Sequence, residues 1–255
     1  TETHYDSFRP DYEGLYVLER GDTLWRSPYV WYDLGVELDS VLGENVSVGI
    51  YRPQRGRELF CLPDRPETAF YAQGLAASTD MVTTFGCRVL SGSLEDVAAA
   101  NNQFILTESM ARRLFGRIDV VGQGGEQSLY TVGAVVEDCR GKSNLYYDFI
   151  RPLWVGDYER NNVHYCNFHI LLRTSHSEQT ERELSRIDPE EKGSTGKLKL
   201  TPLRMYHKLG DGSGFVEAYF YQLAFVVVAL LLVLSAVVNL LAVYTSVFLG
   251  RTREY

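Results

Sequence analysis

Charged side chains are missing from one long stretch of this 255-residue sequence, because none occurs between Ala218 and Gly250. All but four of the Lys, Arg, Asp and Glu residues lie before Gly214, and the chain has a formal net charge of −8. Because the net charge is negative, the chain has no excess of basic residues, which argues against nucleic acid as a partner. With 45% hydrophobic residues, the chain is too apolar to be intrinsically disordered.

Cysteine is scarce, and its four positions follow no metal-binding pattern. Cys61, Cys87, Cys139 and Cys166 are separated by 26, 52 and 27 positions, unlike the short spacings of zinc sites. Three pairings into two disulfides are possible, and the sequence does not choose among them. Thiols that serve as small buried apolar side chains are an equally good interpretation.

Two glycine-containing segments fall short of nucleotide-binding motifs. Gly141–Ser143 ends like a phosphate-binding loop, but Val136 occupies the position where that motif needs its first glycine. Gly122–Gly125 lacks the third glycine of a dinucleotide fingerprint, since Gln127 stands there. Both segments are predicted to be turns.

No set of residues with catalytic or metal-binding spacing occurs in the sequence. His164 and His169 are five positions apart, but the nearest acids, Asp157 and Glu159, lie before two asparagines and no helical pattern frames them. Ser213 lies between glycines without the five-residue pattern of a nucleophile elbow. We therefore predict a protein that is not an enzyme and that needs no cofactor or metal.

The uncharged stretch has the length and composition of a transmembrane helix. Leu223 to Leu249 would extend for about 40 Å as a helix, which is longer than the roughly 30 Å hydrocarbon core of a bilayer. Arg251 and Arg253 follow directly, and the positive-inside rule places them in the cytoplasm. We expect an extracytoplasmic region at 1–214, a stalk and membrane helix at 215–250, and a cytoplasmic start at 251–255. Such a topology needs an upstream signal peptide or an earlier membrane helix.

Small and polar residues form a stripe along this predicted helix. Ser235, Asn239, Ala242 and Ser246 are spaced by four, three and four positions, which places them on one face. Because an amide in hydrocarbon needs hydrogen-bond partners and small residues permit close helix contacts, we interpret the stripe as a helix-packing face. The alternative is that Asn239 lies close enough to the cytoplasmic headgroups to be hydrated.

The region before the membrane helix is predicted to be an α+β domain. Short β-rich runs alternate with helical patterns that are too few for a sheet with a helix after every strand. The clearest helix begins at Thr107–Ser109, runs to Phe115 and is stopped by Gly116. Further helices are predicted within 29–42, at 79–85 with Ser78 as its cap, and at 178–187. Strands are predicted at 15–19, 46–51, 70–76, 103–106, 130–136, 168–172 and 198–203.

Three stretches together resemble the extracytoplasmic core domain of MacB-like and FtsX-like ABC transporter permeases. They are Thr83–Gly92 (TTFGCRVLSG), Asn101–Gly122 (NNQFILTESMARRLFGRIDVVG) and Tyr130–Glu137 (YTVGAVVE). The membrane helix, with Asn239 inside it and Gly250–Glu254 at its exit, resembles the second transmembrane helix of this family.

This resemblance implies a domain of two subdomains. One is porter-like and discontinuous, formed by about 1–85 and 167–204, and the other is inserted between them at about 86–166. It further implies a non-catalytic permease in the bacterial inner membrane that forms a homodimer or pseudo-dimer. A cytoplasmic ABC ATPase would be its partner and would drive export, lipoprotein handling or mechanotransmission.

A second class of function is compatible with the same sequence features. A membrane-anchored sensor would also have an extracytoplasmic ligand-binding domain, and it would signal inward through a single helix. Further spans after Tyr255 would indicate a permease, whereas a kinase or cyclase domain there would indicate a sensor. An anchored enzyme is disfavoured by the lack of a convergent acid, base or nucleophile.

Overall fold

The structure is a computed structural model, and it describes residues 12–22, 26–43, 45–52, 57–62, 65–100, 102–124, 131–138, 145–160, 162–187, 195–209 and 217–251. The chain divides into two compact units. Thr1–His207 and Asp211–Gly214 form the first, and Lys208–Gly210 and Phe215–Tyr255 form the second.

Twelve strands, eight α-helices and one short 3-10 helix (Tyr12–Gly14) occur in the described residues. The strands are β1 (Leu15–Gly21), β2 (Arg26–Ser27), β3 (Val46–Arg52), β4 (Glu58–Leu62), β5 (Arg65–Ala72), β6 (Gly74–Ala77), β7 (Val89–Gly92), β8 (Gln103–Thr107), β9 (Thr131–Val136), β10 (Phe149–Pro152), β11 (His169–Thr174) and β12 (Lys197–Pro202). The helices are α1 (Tyr32–Val41), α2 (Asp80–Phe85), α3 (Leu94–Ala99), α4 (Glu108–Phe115), α5 (Asp157–Arg160), α6 (Ser177–Leu184), α7 (Leu203–Leu209) and α8 (Glu217–Arg251).

Ten of the strands form one mixed sheet in the order β12-β1-β11-β3-β6-β10-β8-β9-β7, with the short β2 on β1. The pairs β6–β10 and β8–β9 are parallel, and the other pairs are antiparallel. The first and last strands are neighbours, so that Tyr16 near the start of β1 pairs with Pro202 at the end of β12. This mixture of a largely antiparallel sheet with few helices confirms the predicted α+β class.

Helices cover both faces of the half of the sheet that contains β1, β3, β11 and β12. On one face, Leu34 and Leu38 of α1 pack into a buried cluster with Ile170 and Leu172 of β11. Their spacing of four residues is the helical periodicity that the sequence showed. On the other face, α2 packs on β3 and β11. The close approach of α2 depends on Gly49, where a Cβ atom would lie 2.9 Å from the Met81 Cα atom.

Helix α4 covers the other half of the sheet and has the ends that the sequence predicted. The Thr107 hydroxyl accepts a hydrogen bond from the Met110 N–H, which caps the first turn. Gly116 follows the helix with a φ of +74°, a left-handed conformation that favours glycine. Buried Met110 and Leu114 pack on β8 and β9 together with Phe104 of β8.

A separate two-stranded hairpin, β4–β5, packs beside α4. Phe60 lies 5.0 Å from the Phe149 ring and 5.8 Å from the Phe104 ring, measured between centroids. The Arg113 guanidinium lies 3.5 Å from the centre of the Phe70 ring. The hairpin therefore contributes aromatic side chains to the cluster under α4.

The structure corrects two local predictions. The strand predicted at 70–76 is divided into β5 and β6 at Gln73, whose backbone exchanges hydrogen bonds with Asp148. Ser78 does not cap α2, because its hydroxyl accepts a hydrogen bond from the Ile50 N–H instead. The residue that precedes α2 is Thr79, and its side chain makes no capping hydrogen bond.

The predicted membrane helix is one continuous helix in the structure. Helix α8 spans Glu217–Arg251 and therefore includes the whole predicted segment as well as part of the expected stalk. Within the described residues, it alone is long and apolar enough to cross a membrane, with a mean hydropathy of 3.0 over Leu223–Thr245. The proposed division of the preceding region into two subdomains stays a prediction.

Candidate functional site

The stripe of small and polar residues lies on one face of α8. At 100° per residue, Ser235, Asn239, Ala242 and Ser246 fall within an arc of about 60° around the helix axis. The side chain of Ser246 lies outside the described residues. Neither Ser235 nor Asn239 makes a side-chain hydrogen bond to another described residue, whereas the Thr245 hydroxyl donates to the Ala242 carbonyl at 3.0 Å.

The same face carries a shallow groove. Ser235, Asn239 and Ala242 line it, and the larger side chains of Leu231 and Val238 form part of its walls. All described side chains from Leu223 to Thr245 are exposed within this single chain. Small side chains such as Ser235 and Ala242 would permit a second helix to approach the α8 backbone closely. The role of the stripe in helix packing stays a prediction.

Arg251 and Arg253 are the residues predicted to fix the topology. Arg251 is the last residue of α8, and its side chain lies outside the described residues. Arg253 lies beyond them altogether. The assignment of this end to the cytoplasm therefore rests on the sequence.

The structure shows where several of the motifs considered in the sequence analysis lie. Gly122 lies in a turn, as predicted. Its N–H donates to the Val132 carbonyl at 2.7 Å. His164 is exposed, whereas His169 is buried and its Nδ1 lies 3.2 Å from the Tyr51 hydroxyl. The described residues contain no group of three or more His, Cys, Asp or Glu that could hold a metal ion. The segments Gly141–Ser143 and Ser213 lie outside them.

Cys87 and Cys166 form no disulfide in the structure. The buried Cys87 thiol lies 3.0 Å from the Tyr147 hydroxyl. Burial raises the pKa of the half-buried Cys166 thiol, although the positive charge of Arg20 opposes this effect. Cys139 and the side chain of Cys61 lie outside the described residues. The chain therefore forms none of the three two-disulfide arrangements, since each would use Cys87 and Cys166.

One ion pair fixes the segment between β10 and β11 to strand β3. Arg52 Nη2 lies 2.9 Å from Glu159 Oε1, and the Arg52 guanidinium lies 4.7 Å from the centre of the Phe168 ring. Burial alone would raise the pKa of Glu159, but hydrogen bonds from the Gly156 N–H and from Arg52 outweigh it and lower that pKa. Glu159 is therefore held in its charged form.

A cleft of about 180 Å³ opens where the ends of β6 and β10 meet the start of β8. Ala77 of β6 is in register with Pro152 of β10, and Ile150 of β10 is in register with Ile105 of β8. The end of α3 forms one wall, and Tyr32 of α1 also lines the cleft. Segments that are more than 100 positions apart in the sequence thus form one concave surface.

Five residues with polar or charged side chains line this cleft, namely Tyr32, Ser78, Thr79, Gln103 and Arg151. Gln103 Oε1 is buried, and it has no hydrogen-bond partner among the residues that the structure describes. Arg151 is more exposed, and its Nη1 lies 3.4 Å from Glu58 Oε2. Gln103 Oε1 itself has almost no accessible surface and lies where a Cβ atom on Gly133 would touch it.

The fold is shared with a domain of a permease protein of known structure. A domain described as part of a permease protein from Porphyromonas gingivalis matches with a TM-score of 0.59 and 18% identity, covering 76% of this chain and 92% of that domain. At this identity, the match shows the fold alone. The predicted resemblance is therefore confirmed for the architecture of the domain.

Two further structures match less closely. The extracellular domain of the noncanonic ABC-type transporter YknZ from Gram-positive bacteria has a TM-score of 0.49 at 12% identity, over 73% of this chain and 99% of that domain. The periplasmic region of MacB from Actinobacillus actinomycetemcomitans has a TM-score of 0.49 at 14% identity, over 77% and 92% respectively. No protein-family profile and no curated protein matches the chain in sequence.

Sequence reasoning missed the cleft and the ion pair between Arg52 and Glu159. Both join segments that are distant in the sequence, so no local spacing marks them. The one available signal was indirect: the segments 52–68 and 154–166 fit none of the patterns of the resembled family. Arg52 of the first segment and Glu159 of the second form the ion pair described above.

Proposed function

We propose that the chain is part of a permease subunit of an ABC transporter in the bacterial inner membrane. The observation that carries this proposal is the fold shared with nearly the whole permease domain from Porphyromonas gingivalis. A helix of membrane-spanning length after that domain adds support. In this topology, 1–214 lies outside the cytoplasm and 251–255 lies inside.

The permease itself carries out no chemical step in this proposal. A cytoplasmic ABC ATPase hydrolyses ATP, and α8 passes the resulting change to the extracytoplasmic domain. The exposed face with Ser235, Asn239 and Ala242 supports this role, because a polar stripe in hydrocarbon favours contact with other helices over contact with lipid. The subunit works as a homodimer or as one half of a pseudo-dimer.

The division of the extracytoplasmic domain belongs to the same proposal. Strands β1, β3, β11 and β12 come from 1–85 and 167–204 and are neighbours in the sheet, which supports a discontinuous porter-like subdomain. Strands β7 to β10 come from 86–166 and are neighbours in the other half. The parallel pair β6–β10 then joins the two subdomains.

Purification of the full-length protein from its native membrane tests the proposal. We expect an ABC ATPase to co-purify and the complex to hydrolyse ATP. Cysteine at Asn239 should also form a disulfide with a helix of the complex more readily than cysteine at Val233, which lies on the opposite face of α8. Recovery of a kinase or cyclase domain on the same polypeptide, with no ATPase, would support the sensor instead.

A further inference from the structure

The large sheet has two halves that meet at one short pair of strands. The first half contains β1, β2, β3, β6, β11 and β12, and the second contains β7 to β10. Strands β6 and β10 pair in parallel from Gly74 opposite Phe149 to Ala77 opposite Pro152. Within the described residues, no other strand pair joins the two halves. The joint between the halves, which is the β6–β10 pair, is therefore short.

A hairpin from the first half lies against the second half. Strands β4 and β5 connect β3 to β6 along the chain, and in the described part of the chain they pair only with each other. We call their stretches 58–60 and 70–72 the strap. Because no strand of the large sheet pairs with β4 or β5, side chains hold the strap on the second half.

Aromatic side chains form the centre of this contact. The centroid of the Phe60 ring lies 5.0 Å from that of Phe149 on β10 and 5.8 Å from that of Phe104 on β8. The Arg113 guanidinium of α4 lies 3.5 Å from the centre of the Phe70 ring. Because β8, β10 and α4 come from the second half, these contacts cross the joint.

An ion pair crosses the joint as well. The Glu58 side chain of the strap occupies the space that a Cβ atom at Gly74 of β6 would need. Its Oε2 lies 3.4 Å from Arg151 Nη1 on β10. The two side chains are 32% and 40% exposed, so water can replace this ion pair at little cost.

Two features favour local release of the strap. Glu58 Oε1 is buried without a hydrogen-bond partner among the described residues, and release would return this oxygen to water. The outer face of the strap carries Leu59 opposite Tyr71, and these side chains are 61% and 66% exposed. An element that is covered on one face only opens at a lower free energy than the core of a domain.

We propose that the strap restrains movement of the two halves about the β6–β10 pair. Release of the strap removes the aromatic contacts and the ion pair that cross the joint, and only the short strand pair then connects the halves. The strap and the joint therefore open together, whereas the strand pairs within each half stay closed. Because the halves are those of the observed sheet, the proposal holds with or without the transport function proposed above.

Hydrogen exchange of the whole 255-residue chain in lipid nanodiscs tests this proposal. Mass spectrometry with fragmentation follows the amides of four strand pairs: β4–β5 in the hairpin, β6–β10 in the joint, β3–β11 in the first half and β8–β9 in the second. When closing is faster than exchange, the exchange rate of an amide reports the equilibrium of the opening that exposes it.

Two neighbouring residues of β4 provide a matched pair of variants. Phe60→Ala should speed exchange at least tenfold in both β4–β5 and β6–β10, because it removes the ring at the centre of the contact. Exchange in β3–β11 and β8–β9 should stay the same. Leu59→Ala should change exchange by less than about twofold in all four strand pairs, since Leu59 is exposed on the outer face.

Two neighbouring arginines of α4 provide a smaller change, which serves if Phe60→Ala lowers the melting temperature of the domain. Arg113→Met removes the contact between a cation and the Phe70 ring, so exchange in β4–β5 and β6–β10 should become about twofold to fivefold faster. Arg112→Met is the control, because Arg112 pairs with Glu108 on its own helix. This variant should exchange like the wild type.

Faster exchange in β4–β5 alone would overturn the proposal, because the strap would then open without any effect on the joint. Equal acceleration in all four strand pairs would also overturn it, since the strap would then support only the global stability of the domain. The proposal would fail as well if neither Phe60→Ala nor Arg113→Met changed the exchange of β6–β10.

Discussion

The surroundings of a single carboxylate, Glu159, determine both its charge and the stability of the segment that contains it. Its pKa in the folded chain is lower than its ordinary value of 4.5, because the Gly156 N–H and Arg52 overcome the effect of burial. A carboxylate with a lowered pKa stabilises the fold at pH values above its unfolded pKa. That contribution is lost as the pH falls through the folded pKa.

Arg52→Met tests the ion pair at the residue scale. The methionine retains an apolar stem beside Phe168 and removes the positive charge, so the free energy of unfolding at pH 7 should fall by about 1 kcal/mol. The difference from the wild type should decrease as the pH falls from 5 towards 2.5, because Glu159 becomes protonated in both proteins. Urea unfolding of the chain in nanodiscs, followed by tryptophan fluorescence, measures this difference.

Arg182→Met is the matched control for this experiment. Arg182 lies 3.9 Å from Glu178, and both side chains are largely exposed, so the free energy of unfolding should change little. An equal loss of stability in the two variants would contradict the special contribution of the Arg52–Glu159 pair.

Asn239→Leu tests the stripe on α8. If this face packs against other helices, the substitution removes interhelical hydrogen bonds worth about 1 kcal/mol or less and should reduce transport activity more than stability. Ala242→Leu should have a similar effect, because it adds bulk where two backbones approach. Transport activity of the full-length protein measures both effects.

Val233→Leu provides the comparison on the opposite face of α8. Leucine is favourable on a surface that contacts lipid, so this control should remain active. If Asn239→Leu and Ala242→Leu were as active as the control, the stripe would face lipid and the packing interpretation would be wrong.

At the scale of elements, the contact between α2 and β3 depends on one missing side chain. Gly49→Ala would place a Cβ atom 2.9 Å from the Met81 Cα and 2.9 Å from its sulfur. Because the backbone of α2 would have to move, we expect a loss of roughly 1–3 kcal/mol in the free energy of unfolding. Urea unfolding detects such a loss as a lower midpoint.

Ser47→Ala is the control on the same strand. The Ser47 side chain is exposed, and its replacement should change the free energy of unfolding by less than about 0.5 kcal/mol. A Gly49→Ala variant as stable as this control would show that α2 does not require its close approach to β3.

Elements with local signals could be predicted from the sequence, and elements that depend on distant partners could not. Thr107 and Gly116 mark both ends of α4 by their own chemistry, and the structure confirms both. The division between β5 and β6 depends on hydrogen bonds between Gln73 and Asp148, which are 75 positions apart. No pattern in the sequence around Gln73 indicates that Asp148 is its partner.

At the scale of the whole molecule, the sequence predicted the fold class but not the order of the strands. Uncharged residues in an unbroken run predict α8 directly, because hydrophobicity and length are sufficient. Strand order depends on which distant segments pair, as in the parallel contact between β6 and β10. The cleft follows from that pairing, so it too could be found only in the structure.

Cysteine labelling of intact cells tests the topology of the full-length protein. After replacement of the native cysteines, Lys192→Cys should react with a thiol reagent that does not cross membranes, whereas Arg253→Cys should react only after permeabilisation. The positive-inside rule gives the physical reason for this expectation. The reverse pattern of labelling would show that the proposed orientation is wrong.

The pairing of Tyr16 with Pro202 has a consequence for how the domain is combined with the rest of a chain. Neighbouring strands lie about 5 Å apart, so more than 180 residues return almost to their starting point. A module with adjacent ends can be inserted into a loop or exchanged for another without separating the flanking segments. Because its first and last strands are neighbours, the domain can be inserted or exchanged as one unit. The sequence between these strands can diverge widely while the distance between the two attachment points stays the same.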